Sequence, residues 1–163
     1  AAVRAQNDLR PGIMNALFRN STIRRATEAD IVWGLEIAKE RYPDRDVQLG
    51  VQFVRWSMNN PNSVVLRGSS VFGIASIVMK YGFEKRARLD MLAARSGNTA
   101  VVEALHIVRA MVRWAALNGA QGHFRIDADT GVDFGPLARR LGGHEVDPVK
   151  YPRYDIPLEG GTL

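Results

Sequence analysis

The chain has no cysteine among its 163 residues, which excludes a disulfide framework, thiolate catalysis and every cysteine-based zinc or iron–sulfur site. A reducing compartment, or a particle assembled in one, is the expected setting. Lysine is scarce as well. Only Lys39, Lys80, Lys85 and Lys150 stand among the 22 basic residues, so arginine carries most of the positive charge. Against 17 acidic residues the balance is +5, which suits acidic partners such as phosphates, nucleic acid or an acidic protein surface. No apolar run approaches the roughly 18 residues of a membrane span; the most apolar stretch, Val71 to Met79, has strand length and contains Gly73 and Ser76. The first thirteen residues, AAVRAQNDLRPGI, lack the apolar core of a secretory signal. A cytoplasmic or particle-associated protein is therefore expected, with Met14 readable as a start or as an internal residue. What is present, 46% hydrophobic and 24% charged residues, fills one core and fits one domain at about 150 residues per domain.

Residues 1–20, with Arg4, Arg10, Arg19 and the Pro11-Gly12 break, read as a basic extension ahead of a single domain over 21–163. That domain opens with a short strand candidate, Ser21 to Ala26. Thr27-Glu28-Ala29-Asp30 then places a capping hydroxyl before an acidic residue, a capping-box variant, and Ile31, Leu35, Ala38 and Tyr42 keep helical spacing up to Pro43. A second helix is expected from Val47 to Met58, stopped by Asn59-Asn60-Pro61-Asn62. Three strands without an intervening helix follow, Ser63 to Arg67, Val71 to Tyr81 and Lys85 to Ala94, joined by turns short enough for an antiparallel meander. In the third, Ala87, Leu89, Met91 and Ala93 alternate with Arg86, Arg88 and Asp90. The longest helix is expected over Thr99 to Asn118, with Val101, Leu105, Val108, Val112 and Ala115 in one apolar row and Ile107, Met111 and Trp114 in another. Its polar seam is Glu103, His106, Arg109 and Arg113. A strand (His123 to Ala128), a short helix (Phe134 to Leu141) and a last strand around Tyr154-Asp155-Ile156 complete the order βααβββαβαβ, an α/β layered domain.

That order, with the strand Arg86–Ala94 feeding a helix that ends Ala115-Ala116-Leu117-Asn118-Gly119-Ala120, resembles the GNAT acyltransferase family. So do Pro136-Leu137-Ala138-Arg139-Arg140-Leu141-Gly142-Gly143, similar to that family's last helix and following turn, and the opening Arg24-Arg25-Ala26-Thr27-Glu28-Ala29-Asp30. The resemblance covers about Ile23 to Leu158 and implies a central, mostly antiparallel sheet flanked by helices. It also implies a loop of the form Gln/Arg-x-x-Gly-x-Gly/Ala at the start of the long helix, whose backbone N–H groups hold the pyrophosphate of acetyl-CoA. Counted back from Gly119-Ala120, that loop is Thr99-Ala100-Val101-Val102-Glu103-Ala104, where only Ala104 conforms and Glu103 brings negative charge to the phosphates. A shifted register instead brings Arg95, Ser96, Gly97, Asn98, Thr99 and Ala100 to the anion. The family's tyrosine acid falls on Ala138 by the same count, leaving Tyr151 or Tyr154 as spatial substitutes. Glu84 and Asp90 are the nearby carboxylates for a base, and a backbone N–H near Met91 or Leu92 would polarise the thioester.

Plainer readings stand beside these. Asp127, Asp129 and Asp133 read as turn and cap residues rather than a cation site, and His106, His123 and His144 give no metal-ligand spacing. Trp33, Trp56 and Trp114 lie in helical apolar patterns and are expected in the core. Two functions follow. One is a catalytically degenerate GNAT-fold component of an assembly, similar to virion proteins of tailed bacteriophages, binding no cofactor and docking protein partners through Arg4, Arg10, Arg19, Arg24 and Arg25. The other is an active acetyl-CoA-dependent N-acetyltransferase with a divergent loop. A nucleic-acid-binding accessory role is a third, marked by steep salt dependence.

Overall fold

The computed structural model describes residues 22–44, 47–128, 132–148 and 150–162. Arg4, Arg10, Arg19 and Asp129 lie outside them. The elements are β1 (Arg24–Arg25), α1 (Asp30–Arg41), α2 (Val47–Asn59), β2 (Ser63–Arg67), β3 (Val71–Lys80), β4 (Glu84–Ala94), α3 (Asn98–Leu117), β5 (His123–Asp127), α4 (Gly135–Arg140), β6 (His144–Val146) and β7 (Arg153–Pro157), closed by a 3₁₀ turn (Leu158–Thr162). They build one seven-stranded sheet in the order β1-β2-β3-β4-β5-β7-β6. Every neighbouring pair is antiparallel except β4–β5. The meander, the helices and the mixed, mostly antiparallel sheet are those expected from the sequence. The first strand is shorter than Ser21 to Ala26, while β6 and the closing 3₁₀ turn were not anticipated, because three residues with one apolar side chain show no period.

Helices α1 and α2 cover one face of the β2–β4 meander, through Ile31 and Val54 against Val65, Phe72 and Ile74. Helix α3 lies on the other face, where Ile107, Met111 and Trp114 pack with Leu66, Ala75, Phe124 and Ile156. The α3 C-terminus closes with Ala120 N–H donating to Ala115 O at 3.0 Å and Gly119 N–H to Ala116 O at 3.2 Å, the paired bonds of a Schellman cap. At the α1 start the capping arrangement is inverted. The helix begins at Asp30, whose Oδ2 accepts the Thr27 N–H at 2.7 Å and the Thr27 hydroxyl at 3.0 Å.

The expected alternation along β4 breaks at one residue. Ala75 pairs with Leu89 but its neighbour Ile74 pairs with Met91, so Asp90 is the extra residue of a β-bulge. Ala87 and Leu89 face α3 as Leu92 and Ala94 do, whereas Met91 and Ala93 turn to the α1 side. The four residues expected on one face are thus divided between two.

Candidate functional site

Strands β4 and β5 are paired only at Ala87↔Phe124 and Arg88↔Arg125. Beyond Arg88, β4 runs on to Ala94 while β5 ends at Asp127 and is held on its other side by β7. Among the described residues the β4 edge is therefore open over residues 89–94, about 20 Å of extended chain. Arg95 N–H bonds back to Ser70 O on the β3 side at 2.9 Å, so by strand alternation the peptide groups of Ala94 and Leu92 face the open edge. Backbone donors and acceptors without a strand partner are a ready surface for an extended amide-bearing ligand.

The open edge leads into the N-terminus of α3. Arg95, Ser96 and Gly97 join strand to helix, and Gly97, with φ +119°, occupies a conformation that side chains avoid. No side chain caps the helix and its first turn holds no acid. Arg95, Ser96, Asn98 and Thr99 are exposed and Ala100 is buried. Thr99 to Ala104, the loop counted back from the helix end, lie inside α3, which runs from Asn98 and leaves Arg95–Gly97 as the connection. In the shifted register Arg95 and Ala100 stand at the ends of the Gln/Arg-x-x-Gly-x-Gly/Ala form, with Asn98 at its first glycine.

Glu103 does not intrude on this end. It is 3% exposed, and its carboxylate accepts the backbone N–H groups of Ser70 (2.8 Å) and Ser69 (3.0 Å) and both serine hydroxyls. Burial alone would push its carboxyl up, but the bonds from Ser70 and Ser69 outweigh it and hold it below the ordinary value. Glu103 is thus a core residue rather than part of a polar seam, and the outward position of the same turn belongs to Val101, 69% exposed.

The candidate acid–base groups are distributed unevenly. Asp90 sits at the bulge, beside the open edge, and its Oδ1 accepts Arg88 Nε at 2.9 Å. Glu84 is at the opposite end of β4, where its Oε2 accepts Arg86 Nε and Nη2 at 3.1 and 2.9 Å. Tyr154 is 6% exposed and its hydroxyl donates to Asp133 Oδ1 at 3.4 Å. Burial, then the charges of Asp133 and Glu145, raise its pKa. Asp133 also caps α4, accepting the Gly135 N–H at 2.9 Å, and Asp127 accepts Arg153 Nε at 2.6 Å. His106 Nδ1 takes a hydrogen bond from Arg109 at 3.3 Å, and burial followed by the Arg109 charge lowers its pKa. Ala138 is sealed in the core.

Arg24, expected to meet a partner, grips Asp30 with Nη1 and Nη2 at 2.7 and 3.0 Å and keeps its side chain half-exposed. Arg25 lies in β1 opposite Leu66. Trp114 is buried, but Trp56 is not a core residue: it is 60% exposed and stacks on Phe53, ring centroids 6.5 Å apart. Trp33 carries the Arg67 guanidinium 3.5 Å over its ring, with Arg95 at 5.9 Å.

No family model and no curated protein matches the sequence. Solved structures do. An aminoglycoside antibiotic 6'-N-acetyltransferase from Acinetobacter baumannii superposes with a TM-score of 0.65 at 19% identity, over 79% of this chain and 94% of that one. The aminoglycoside 6'-N-acetyltransferase from Enterococcus faecium gives 0.61 at 14% identity over 83% and 96%. An acetyltransferase of the GNAT family from Streptococcus pneumoniae gives 0.54 at 10% identity over 82% and 95%. The chain therefore has the GNAT acetyltransferase fold. Among the described residues no helix is long and apolar enough to cross a membrane.

Proposed function

We propose that this chain is an acyl-CoA-dependent N-acyltransferase, with acetyl-CoA the expected donor. The observation that carries the reading is the continuity of two unsatisfied backbone surfaces: the β4 edge open from Leu89 to Ala94 and the uncapped, acid-free start of α3 that follows it. A pantetheine arm is an extended chain with two amides and fits the first; a pyrophosphate fits the second. The bound thioester supplies an acyl group to an amine nitrogen, the C–S bond breaking as the N–C bond forms and the amine proton ending on the thiolate sulfur. The chain's own groups prepare this. The Leu92 amide, facing the open edge, is placed to donate to the carbonyl oxygen. Asp90 at the bulge is the carboxylate beside that edge and takes the role of base, through water. Tyr154, its proton held by burial, is the available acid.

The test is calorimetric titration with acetyl-CoA at moderate salt, with ATP as the control for phosphate attraction alone. Saturable binding specific to the pantetheine-bearing ligand is expected. No heat and no thermal stabilisation at millimolar ligand would remove the enzyme reading.

A second reading, a GNAT-fold component of an assembly such as a tailed-phage virion, draws support from a different observation. Glu84 and Asp90 are each ion-paired with an arginine, and Ala138 offers no hydroxyl. That reading expects protein partners for the basic N-terminal residues and no acetyl-CoA binding.

A further inference from the structure

The sheet face opposite α3 carries one polar row across six strands. The registers align Ser63, Ser76, Arg88, Arg125, Asp155 and His144 side by side from β2 to β6. Within it Arg88 and Arg125 are direct neighbours on the parallel pair β4–β5, and like charges set opposite each other cost stability unless an anion stands between or above them. Arg125 is answered by Asp155, which accepts both its Nε and its Nη2. Arg88 is not answered to the same degree. Only its Nε is engaged, by Asp90, and its side chain is 54% exposed. Among the described residues its two Nη groups have no acceptor. Its cross-strand neighbour Ser76 brings no charge, and the Ser76 hydroxyl is itself buried with no partner among the described residues. Arg88 is also the last residue of β4 paired with β5, so it stands at the mouth of the open edge, two residues before Asp90 reaches the bulge.

The acids of this face tell the complementary part. Glu84, Asp90, Asp127 and Asp155 each accept from an arginine, Arg86, Arg88, Arg153 and Arg125 respectively. No carboxylate of this set is left without an arginine, while among the described residues two guanidiniums, Arg88 and Arg153, are engaged through Nε alone; of these Arg88 stands at the open edge and Arg153 lies two strands away on β7.

We propose that the acceptor of this protein is an amine that also bears an anionic group, a carboxylate or a phosphate, which Arg88 receives with Arg125 beside it. This rests on the acyl-transfer reading above. It makes Arg88 a specificity-determining residue: the anion docks on its Nη groups and holds the amine at the bulge end of the open edge. Polycationic amines are disfavoured, since they meet Arg88 and Arg125 with no free acid in return.

The experiment pairs two readouts. Donor binding is measured by titration with acetyl-CoA. Acceptor binding is then measured by calorimetry, with and without desulfo-CoA, for glycine and O-phosphoethanolamine as carboxylate and phosphate probes, against glycinamide, spermidine and kanamycin. Acyl transfer to the same amines is followed by thiol release. Glycine or O-phosphoethanolamine should bind at least about tenfold tighter than glycinamide or the polycations, the size of one charge-assisted hydrogen bond. Arg88→Gln should abolish that preference, read as a rise in KM for the anionic amines that glycinamide does not share, and Arg88→Lys should restore part of it. Equal binding of glycinamide, preference for spermidine or kanamycin, no binding of either anionic probe at millimolar concentration, or a preference that survives Arg88→Gln overturns the proposal. Acetyl-CoA binding without an anion preference sinks the anion site alone. Arg88-dependent anion binding without acetyl-CoA binding sinks the transfer reading and, with it, the acceptor role.

Discussion

Glu103 holds Ser70 by two donors at once, its Oε1 accepting the Ser70 backbone N–H at 2.8 Å and the Ser70 hydroxyl at 3.3 Å. Its Oε2 does the same for Ser69. A residue of the long helix thereby fixes the β2–β3 turn, and two backbone N–H groups that the turn cannot satisfy internally find a charged acceptor. Replacement by alanine leaves those donors without their acceptor, at about 1–3 kcal/mol each when buried. Glu103→Ala should cost about 3 kcal/mol and lower Tm by roughly 6–12 °C. Glu103→Gln should cost nearly as much, because its NH₂ group faces donors. Thermal melts of the two variants check this, and a loss below about 1 kcal/mol would show that the turn holds itself.

The same carboxylate and Asp30 set the acid limit of the fold. Arg24 first, against the opposing effect of burial and with help from Thr27 and Arg67, holds the Asp30 carboxyl well below the usual carboxylate range. Glu103 is held below its ordinary value as well. A carboxyl whose folded pKa lies under its unfolded value of about 4 contributes fully above that pH and loses its contribution as pH falls through the folded value. Urea midpoints should therefore fall steeply below about pH 4, after a shallower decline that starts near pH 6.5, where His106 and His123, whose folded pKa values burial lowers, begin to favour the unfolded chain. Asp30→Asn should lower stability at neutral pH and flatten the acid slope. An unchanged slope in that variant would move the acid limit elsewhere.

The element order and the meander were legible because each rests on local signals: turn residues between apolar runs, and Gly119 after a long apolar helix. The missed features all depend on partners distant in sequence. Nothing local to Glu103 reveals that Ser69 and Ser70 stand across from it, so a buried acid reads as part of a polar seam. The bulge at Asp90 is invisible because Leu89 and Met91 keep a perfect alternation in sequence while they pair with consecutive β3 residues, Ala75 and Ile74. Trp56 fits the apolar period of α2 yet faces outward with Phe53, since period says which residues share a face and not which face is covered. For the candidate site, the residues Arg95–Ala100 were legible as one of two loop registers, while the helix start at Asn98 was not. For the proposed anion site the sequence signal is the Arg86-x-Arg88 repeat on a strand whose other residues are mostly apolar.

Gly34 sits where α1 crosses β3. A Cβ at this position would fall 2.5 Å from the Phe72 ring, itself fully buried and edge-on to Trp33. A ring packed on both sides cannot retreat, so the clash outweighs the helix-propensity gain of about 1 kcal/mol that alanine brings. Gly34→Ala should destabilise by about 1–3 kcal/mol net. Equilibrium unfolding of the variant checks the sign, and a stabilised protein would mean that α1 shifts along the sheet without cost.

Placing an acid in the first turn of α3 separates an anion site from general fold effects, because the two consequences have opposite signs. Thr99 is exposed, two residues beyond Gly97, in a first turn that holds no acid. Thr99→Glu meets the positive end of the helix dipole and should raise stability by about 0.3–1 kcal/mol. If phosphates of the donor bind the same backbone N–H groups, the new carboxylate repels them. At a water-exposed separation near 4 Å that repulsion is about 1 kcal/mol, a several-fold loss of acetyl-CoA affinity that shrinks as salt is added. A variant that melts higher yet binds acetyl-CoA several-fold more weakly at low salt places the pyrophosphate at this helix end. One that melts higher and binds unchanged places the phosphates elsewhere, and Arg95 to Ala100 would then be only the connection between strand and helix.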